Sequence, residues 1–257
     1  MAKSWQGILR NGTELAWIGK ILSYPCSDNE EVSRRLQELA DLGVFDIIPV
    51  GETLIGDIPV LGKGCTSIVA LVTSSHGKAA LKIRRLDSNR ESCSSEARIL
   101  RAANEIGVGP RFLGGTGNFL LMEFVDGTRI SSWLRARMAE GRLETVVEVL
   151  RRVLEDCYRL DLAGIDHGQL NSARKHIIVR DYGKPVILDF ESASTSRKVS
   201  NVTSVSHYFF LGSEIADKLC LALGLEREGI IDCLKAYRRN MSRGKFKRLL
   251  KECRVIG

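Results

Sequence analysis

The chain has 257 residues, 27% of them charged and 44% apolar, with 38 Lys and Arg against 31 Asp and Glu. That length allows one large domain or two lobes with a sizeable core, and the composition is that of an ordinary globular protein rather than a disordered or fibrous one. No apolar run reaches the ~18 residues of a membrane span, so no membrane association is expected.

The first seven residues, Met1 to Gly7, lack the apolar stretch of a secretory signal. Seven cysteines, scattered and never spaced C-x-x-C, argue against a disulfide framework or a zinc site. They favour a reducing compartment, and a cytoplasmic location is expected. The positive charge is uneven. Between Lys235 and Arg254 stand nine basic residues and a single acid, Glu252. Such a segment suits RNA or an acidic partner, with no DNA specifically implied. A solvated basic helix with Phe246, Leu249 and Leu250 packed beneath it is the favoured reading.

In chain order, residues 1–50 are expected to form a helical extension. Val32, Leu36, Leu39, Ala40 and Val44 recur near helical spacing over Glu30 to Val44, with Ser27, Asp28 and Asn29 as caps and Gly43 at the C-terminal end. The extension either joins a nucleic-acid-binding fold or, as favoured, braces the lobe after it. From about Phe45 short strands are predicted, at 57–61, 68–72 and 79–83, with a turn at Ser74 to Gly77. A helix from Arg90 to Ile106 stops at Gly107 and Gly109-Pro110. Two strands come next, near Phe112 and over 119–124, and Asp126-Gly127 ends this half.

Beyond Gly127 the pattern turns helical, with a long amphipathic stretch from Arg142 to Leu162. A polar loop over 166–175 leads into a hairpin of 177–179 and 185–188. Residues 192–205 are polar and partly irregular, and the last ~50 residues read as two or three helices. The division is a β-rich lobe, 51–127, followed by a helical lobe, 128–257.

Three features carry chemistry. Gly62 and Gly64, in a strand–turn–strand loop ending at Ser67 and Val69, would let backbone N–H groups approach phosphate oxygens with no Cβ between. No Lys-Ser or Lys-Thr follows at P-loop spacing, and a strand follows where a helix would be needed, which disfavours P-loop and dinucleotide-binding sites. A plain hairpin turn is the competing reading. Lys82 sits mid-strand on the same face as Ala80, a pairing suited to an adenine on Ala80 and phosphates on Lys82. Against it stands an exposed edge-strand lysine, since Arg84 shares that face. Of two possible anionic partners, Glu91 and Glu96, the helical spacing favours Glu96, which shares the inward face of Ile99 and Leu100. Asp189 ends the apolar run Val186-Ile187-Leu188, where packing explains a carboxylate poorly and a divalent metal on a nucleotide's phosphates explains it well.

In this order the parts resemble the protein-kinase superfamily over roughly residues 55–220. Gly62, Gly64, Ser67 and Val69 follow its G-x-G-x-x-G-x-V, with Ser67 in place of the third glycine. Ala80-Leu81-Lys82 is similar to its nucleotide-binding lysine motif, Glu96 to the ion-pair partner, and Asp189-Phe190-Glu191 to the metal-binding D-F-G. Leu121 to Val125 resembles the hinge, which implies that Met122, Glu123 and Val125 line the adenine. The short remainder and the His167-Gly168 loop are most similar to compact RIO-type, Bud32-like, lipopolysaccharide and aminoglycoside kinases, and to predicted archaeal serine/threonine kinases. The resemblance implies an α+β, bilobal kinase-like fold, Mg2+ and ATP as cofactors, and transfer of the γ-phosphate to a protein hydroxyl.

The catalytic loop departs from that pattern. Those kinases carry His-Gly-Asp-Leu followed by an Asn; here the run is His167-Gly168-Gln169-Leu170-Asn171 and onward to His176. One alignment puts Gln169 at the base position and a gapless count puts Asn171 there, while His176 stands where the metal-binding Asn belongs. Neither amide accepts a proton usefully at neutral pH. Three readings stay open: Asp166 serves as base, transfer relies on positioning and metal charge, or the chain is a pseudokinase-like nucleotide-binding module, RNA- or ribosome-associated. For Asp166 a turn or cap acid is the plain alternative, and for His176 a packed polar side chain.

Overall fold

The computed structural model describes residues 12–89 and 92–257. The fold is mixed α+β, with an antiparallel sheet in the N-terminal half and helices in the C-terminal half. Two compact units are present: residues 1–98 with 111–124, and residues 99–110 with 125–257. Among the described residues no helix is long and apolar enough to cross a membrane.

The first unit begins with helices α1 (Gly12–Leu22) and α2 (Asn29–Asp41). Asp28 caps α2, its side chain accepting the Glu31 N–H at 2.9 Å. Gly43 follows at φ +67°, where a Cβ would come within 2.7 Å of the Ser75 hydroxyl. Then come β1 (Val44–Ile48), β2 (Thr53–Ile55), β3 (Ile58–Val60), β4 (Gly62–Lys63), β5 (Ser67–Ser74) and β6 (Gly77–Arg84). Helix α3 (Ser94–Glu105) begins in this unit and belongs to the second from Ile99, and strands β7 (Phe112–Gly115) and β8 (Phe119–Glu123) complete the first. The predicted helix start at Arg90 lies outside the described residues, as does Glu91.

Six strands form one sheet in the order β1-β5-β6-β8-β7, with β4 also paired to β5. Alternation sorts its two faces. Ile68, Ala70 and Val72 of β5, Ala79, Leu81 and Ile83 of β6, and Phe119 and Leu121 of β8 share one core with Ile18, Ile21 and Leu22 of α1 and Val32, Leu36 and Leu39 of α2. The N-terminal helices therefore brace the sheet by completing its core. Arg35 pins them. Fully buried, it bonds Glu31 at 2.6 Å, the Leu22 carbonyl at 2.5 Å, the Arg84 carbonyl at 2.7 Å and Asn118 Oδ1 at 3.1 Å.

The second unit holds β9 (Thr128–Arg129), α4 (Ile130–Ala139), the long helix α5 (Leu143–Leu162), a 3-10 turn at Leu170–Ser172 and the short helix α6 (Ala173–His176). The predicted polar loop thus contains two turns of helix that its polar composition does not reveal. Strands β10 (Ile177–Val179) and β11 (Pro185–Ile187) form the expected hairpin, and β9 adds a third strand. Gly127 enters β9 at φ +152°, with its missing Cβ only 2.4 Å from the Val179 carbonyl, so no other residue fits there. After β11 come α7 (Asn201–Ser206), a π-helical turn at His207–Leu211, and helices α8 (Glu214–Leu223), α9 (Arg227–Arg239) and α10 (Arg243–Glu252). Phe246, Leu249 and Leu250 are buried beneath the basic segment. Arg243 pairs with Glu155 at 2.7 Å and lies 5.3 Å from the Phe246 and Tyr158 ring centroids.

Candidate functional site

The sheet face turned away from α1 and α2 carries the first group of residues. Register sets Gly62, Val69, Lys82 and Leu120 in one cross-strand row, and Leu71, Ala80 and Met122 in the next. The surroundings of Lys82 in these rows are apolar or glycine. Lys82 is only 5% exposed, and its ammonium lies 2.9 and 2.8 Å from the two oxygens of Glu96, itself 6% exposed, in the first turn of α3. Two buried ions must hold each other, because an unpaired one carries a desolvation cost of several kcal/mol. Such a pair adds little net stability over an apolar replacement, so packing alone does not account for it. Arg84, the competing cation, turns to Asn118 Oδ1 at 2.9 Å.

The glycines above this row are not demanded by the fold. A Cβ on Gly62 would meet nothing within 4 Å, and one on Gly64 would meet only Ser67 at 3.6 Å, an ordinary contact. Gly64 donates its N–H to the Ser67 carbonyl at 2.8 Å, and its own carbonyl accepts from Arg85 at 2.8 Å. Ser67 is buried and opposes Arg84, while Val69 is half-buried opposite Lys82. Glu123 is half-buried and tied to Arg111 through its backbone and carboxylate, and Val125 is buried at the start of the second unit.

In the second unit, the β10–β11 register brings the ends of the hairpin together. Ile177 faces Ile187, and the Leu188 N–H continues the ladder to the His176 carbonyl at 2.7 Å. His176, last residue of α6, and Asp189, second after β11, thereby become neighbours. His176 Nδ1 lies 3.6 Å from Asp189 Oδ2. Asp189 has φ +68°, a left-handed conformation that a non-glycine residue adopts at a cost and that clusters at functional sites. Glu191 brings a carboxylate oxygen within 4.8 Å of one from Asp189. An imidazole nitrogen and a carboxylate oxygen at the 3.6 Å separation of His176 and Asp189 can share one divalent cation. Glu191 was not among the residues expected in the site, although an acid two residues after Asp189 is a visible signal.

Asp166, read from the sequence either as a base or as a turn acid, is bonded within its own chain. It is 2% exposed, and both its oxygens are engaged: Oδ2 takes Arg197 at 2.5 Å, while Oδ1 takes the Ser200 N–H at 2.9 Å and the Ser200 hydroxyl at 3.0 Å. Its backbone pairs with Ser194 in both directions, at 2.9 and 2.8 Å. This acid fastens the segment after β11. Gln169 is half-buried ahead of the 3-10 turn, and Asn171 is exposed.

Beneath the loop lies a polar network with no signature in the sequence. Asp161 on α5 accepts the Asn201 N–H at 2.9 Å, the Asn201 amide at 2.8 Å and the Tyr237 hydroxyl at 2.9 Å. Asn201 in turn accepts the His167 N–H at 2.8 Å. Burial raises the Asp161 carboxyl, opposed by these donors, and burial raises the Tyr237 hydroxyl, with the Asp161 charge adding to it. The His167 ring donates its Nε2–H to the Leu188 carbonyl at 2.9 Å, and among the described residues its Nδ1 has no hydrogen-bond partner. Burial pushes His167 down to about 4, so it is neutral at physiological pH.

No family model matches the chain. It is similar to the KEOPS complex subunit Bud32 of Pyrococcus abyssi, at 32% identity over 127 residues, covering 48% of this chain and 54% of that protein. The chain thus spans about half the length of that relative. It is also similar to the uncharacterized protein MJ1211 of Methanocaldococcus jannaschii, at 28% identity over 95 residues, covering 37% of this chain and 77% of that one.

Proposed function

We propose that this protein is an ATP-dependent phosphotransferase of the atypical serine/threonine kinase type. One observation carries the reading: a buried Lys82–Glu96 ion pair flanked on the sheet by Gly62, Val69, Ala80 and Leu120. An ammonium held there, beside Ala80 and below glycines that the fold does not require, suits adenine and phosphates better than it suits packing. Similarity to a Bud32 subunit and the D-F-G-like Asp189 support it.

In this reading the loop of Gly62 and Gly64, ending at Ser67 and Val69, lies over the phosphates, and the two missing Cβ atoms leave room for their approach. Ala80, Met122, Glu123 and Val125 receive the base, and Lys82 with Glu96 clamps the phosphates. Asp189 and His176 would hold the divalent cation, Mg2+ by the kinase resemblance, which when bound neutralises developing phosphate charge. The acceptor is a protein serine or threonine. Its hydroxyl oxygen bonds to the γ-phosphorus, the bond from that phosphorus to the ADP oxygen breaks, and the hydroxyl proton leaves to phosphate or solvent. Gln169 orients the acceptor and takes no proton, since phosphoryl transfer depends mainly on positioning and charge.

Transfer of label from radiolabelled ATP should be detectable in the wild type and fall at least ~100-fold in Lys82→Ala and Asp189→Ala. Unchanged transfer in both variants would sink the assignment. The commitment of Asp166 to Arg197 and Ser200 favours a second reading, a nucleotide-binding module with little turnover. ATP binding that depends on Lys82, without transfer to itself or to generic protein substrates, would decide for it.

A further inference from the structure

The kinase pattern calls for an amide oxygen where this chain places the imidazole of His176. That exchange changes which ion the site prefers. We propose that His176 Nδ1 and Asp189 form a mixed nitrogen–oxygen metal site that selects a first-row transition ion over Mg2+ on the bound nucleotide. The inference rests on the nucleotide-binding reading given above.

The geometry permits it. A separation of 3.6 Å between His176 Nδ1 and Asp189 Oδ2 lets one ion sit between them, at the ~2.0–2.2 Å distances usual for such ligands. Both atoms are set by backbone that leaves little freedom. His176 ends α6 and is locked to the hairpin through the Leu188 N–H at 2.7 Å, and Asp189 occupies its left-handed conformation immediately after. The His176 ring is further confined edge-on against His167, at 5.4 Å between centroids, and His167 is itself fixed to the Leu188 carbonyl. Glu191 adds a second carboxylate near Asp189.

Mg2+ is a hard cation that takes oxygen ligands in near-ideal octahedral geometry and gives up water reluctantly. An imidazole nitrogen gains more from ions with accessible d orbitals, and a soft-to-borderline ligand at a fixed position tilts selectivity toward them. The competing explanation is an ordinary His–Asp ion pair inside the fold, with no role for a cation.

Two measurements on the full chain separate these. First, ATP affinity is compared in Mg2+, Mn2+ and Co2+, for the wild type and for His176→Asn. The wild type should bind ATP at least ~10-fold more tightly with Mn2+ or Co2+ than with Mg2+, and the variant should lose most of that preference. Second, pulsed EPR of Mn-ATP bound to protein labelled with 15N-histidine should show a nitrogen coupling that shifts with the label and vanishes in His176→Asn. Tight ATP binding with equal use of the three ions, and no histidine coupling, overturns this inference and leaves the nucleotide reading intact. No ATP binding with any ion overturns both.

Discussion

The Lys82–Glu96 pair of the first compact unit and the buried polar groups of the second differ in what packing asks of them. In the first, Lys82 and Glu96 neutralise each other beside Val69, Ala80 and Leu120, where packing has no need of a charge. In the second, Asp166, Asp161 and Asn201 are spent on fastening loops and helix ends. A charge retained where packing would do without it points to a ligand. A charge whose every oxygen is satisfied by its own chain points to architecture. The contrast explains why the case for nucleotide binding is stronger than the case for a catalytic base.

The sharpest way to break this contrast is to dismantle the first pair. Glu96→Ala would leave the Lys82 ammonium buried without its carboxylate, at a cost of about 3–5 kcal/mol in urea denaturation. The double variant Lys82→Met with Glu96→Leu removes both charges and should recover most of that stability, staying within about 1.5 kcal/mol of wild type. ATP binding should be lost in both variants. A double variant as unstable as Glu96→Ala would make the pair structural, and the distinction between the units would fail.

The second unit offers a pH test. Folding holds His167 neutral down to about 4, against 6.5 for an unperturbed imidazole, chiefly through burial and with opposition from the Leu188 carbonyl. His176, Asp189 and Asp166 are the titratable groups that act on it. Between those two values the unfolded chain binds more protons than the folded one, so stability rises with pH across that window and is flat above it. The full effect is about 3 kcal/mol. Denaturation midpoints measured at pH 4.5 and 7 should differ less in His167→Gln than in wild type. Equal pH dependence in the two proteins would remove His167 from the account.

Asp166 is next in size. Asp166→Asn should cost about 1–3 kcal/mol, because a neutral amide cannot serve Arg197 and Ser200 together. ATP affinity should stay within about threefold of wild type. Unchanged stability combined with a ~100-fold fall in phosphoryl transfer would make Asp166 a catalytic base rather than an anchor.

How much was legible beforehand depends on how local each signal is. The hairpin 177–179 with 185–187, the cap at Asp28 and the long helix through Leu162 each depend on neighbours within a few residues. Lys82 and Glu96 are 14 residues apart. They were nevertheless legible, because an ammonium mid-strand and an acid on a helix's inward face are each anomalous alone. Asp161, Asn201 and Tyr237 span up to 76 residues and belong to residue types that occur anywhere on a surface. Nothing in their spacing announces that they meet. The anchoring of Asp166 was hidden for a related reason: its partners, Arg197 and Ser200, lie beyond the hairpin in a segment with no periodicity.

The smallest predicted stability change separates the two units most cleanly. Gly109 stands at φ +87°, and a Cβ there would lie 2.9 Å from the Phe190 ring and 3.1 Å from Leu100. Gly109→Ala therefore meets both an unfavourable backbone conformation and overpacking, and should cost about 1–3 kcal/mol. Gly62 has neither constraint, since it lies in a strand with open space where the methyl would go. Gly62→Ala should change stability by less than about 0.5 kcal/mol. If the glycine is kept for phosphate approach, the same methyl should weaken ATP binding about 3- to 10-fold, as titration calorimetry would show. A Gly62→Ala protein with unaltered stability and unaltered affinity would mean the loop is only a hairpin turn, and the case for a nucleotide would then rest on Lys82 and Asp189 alone.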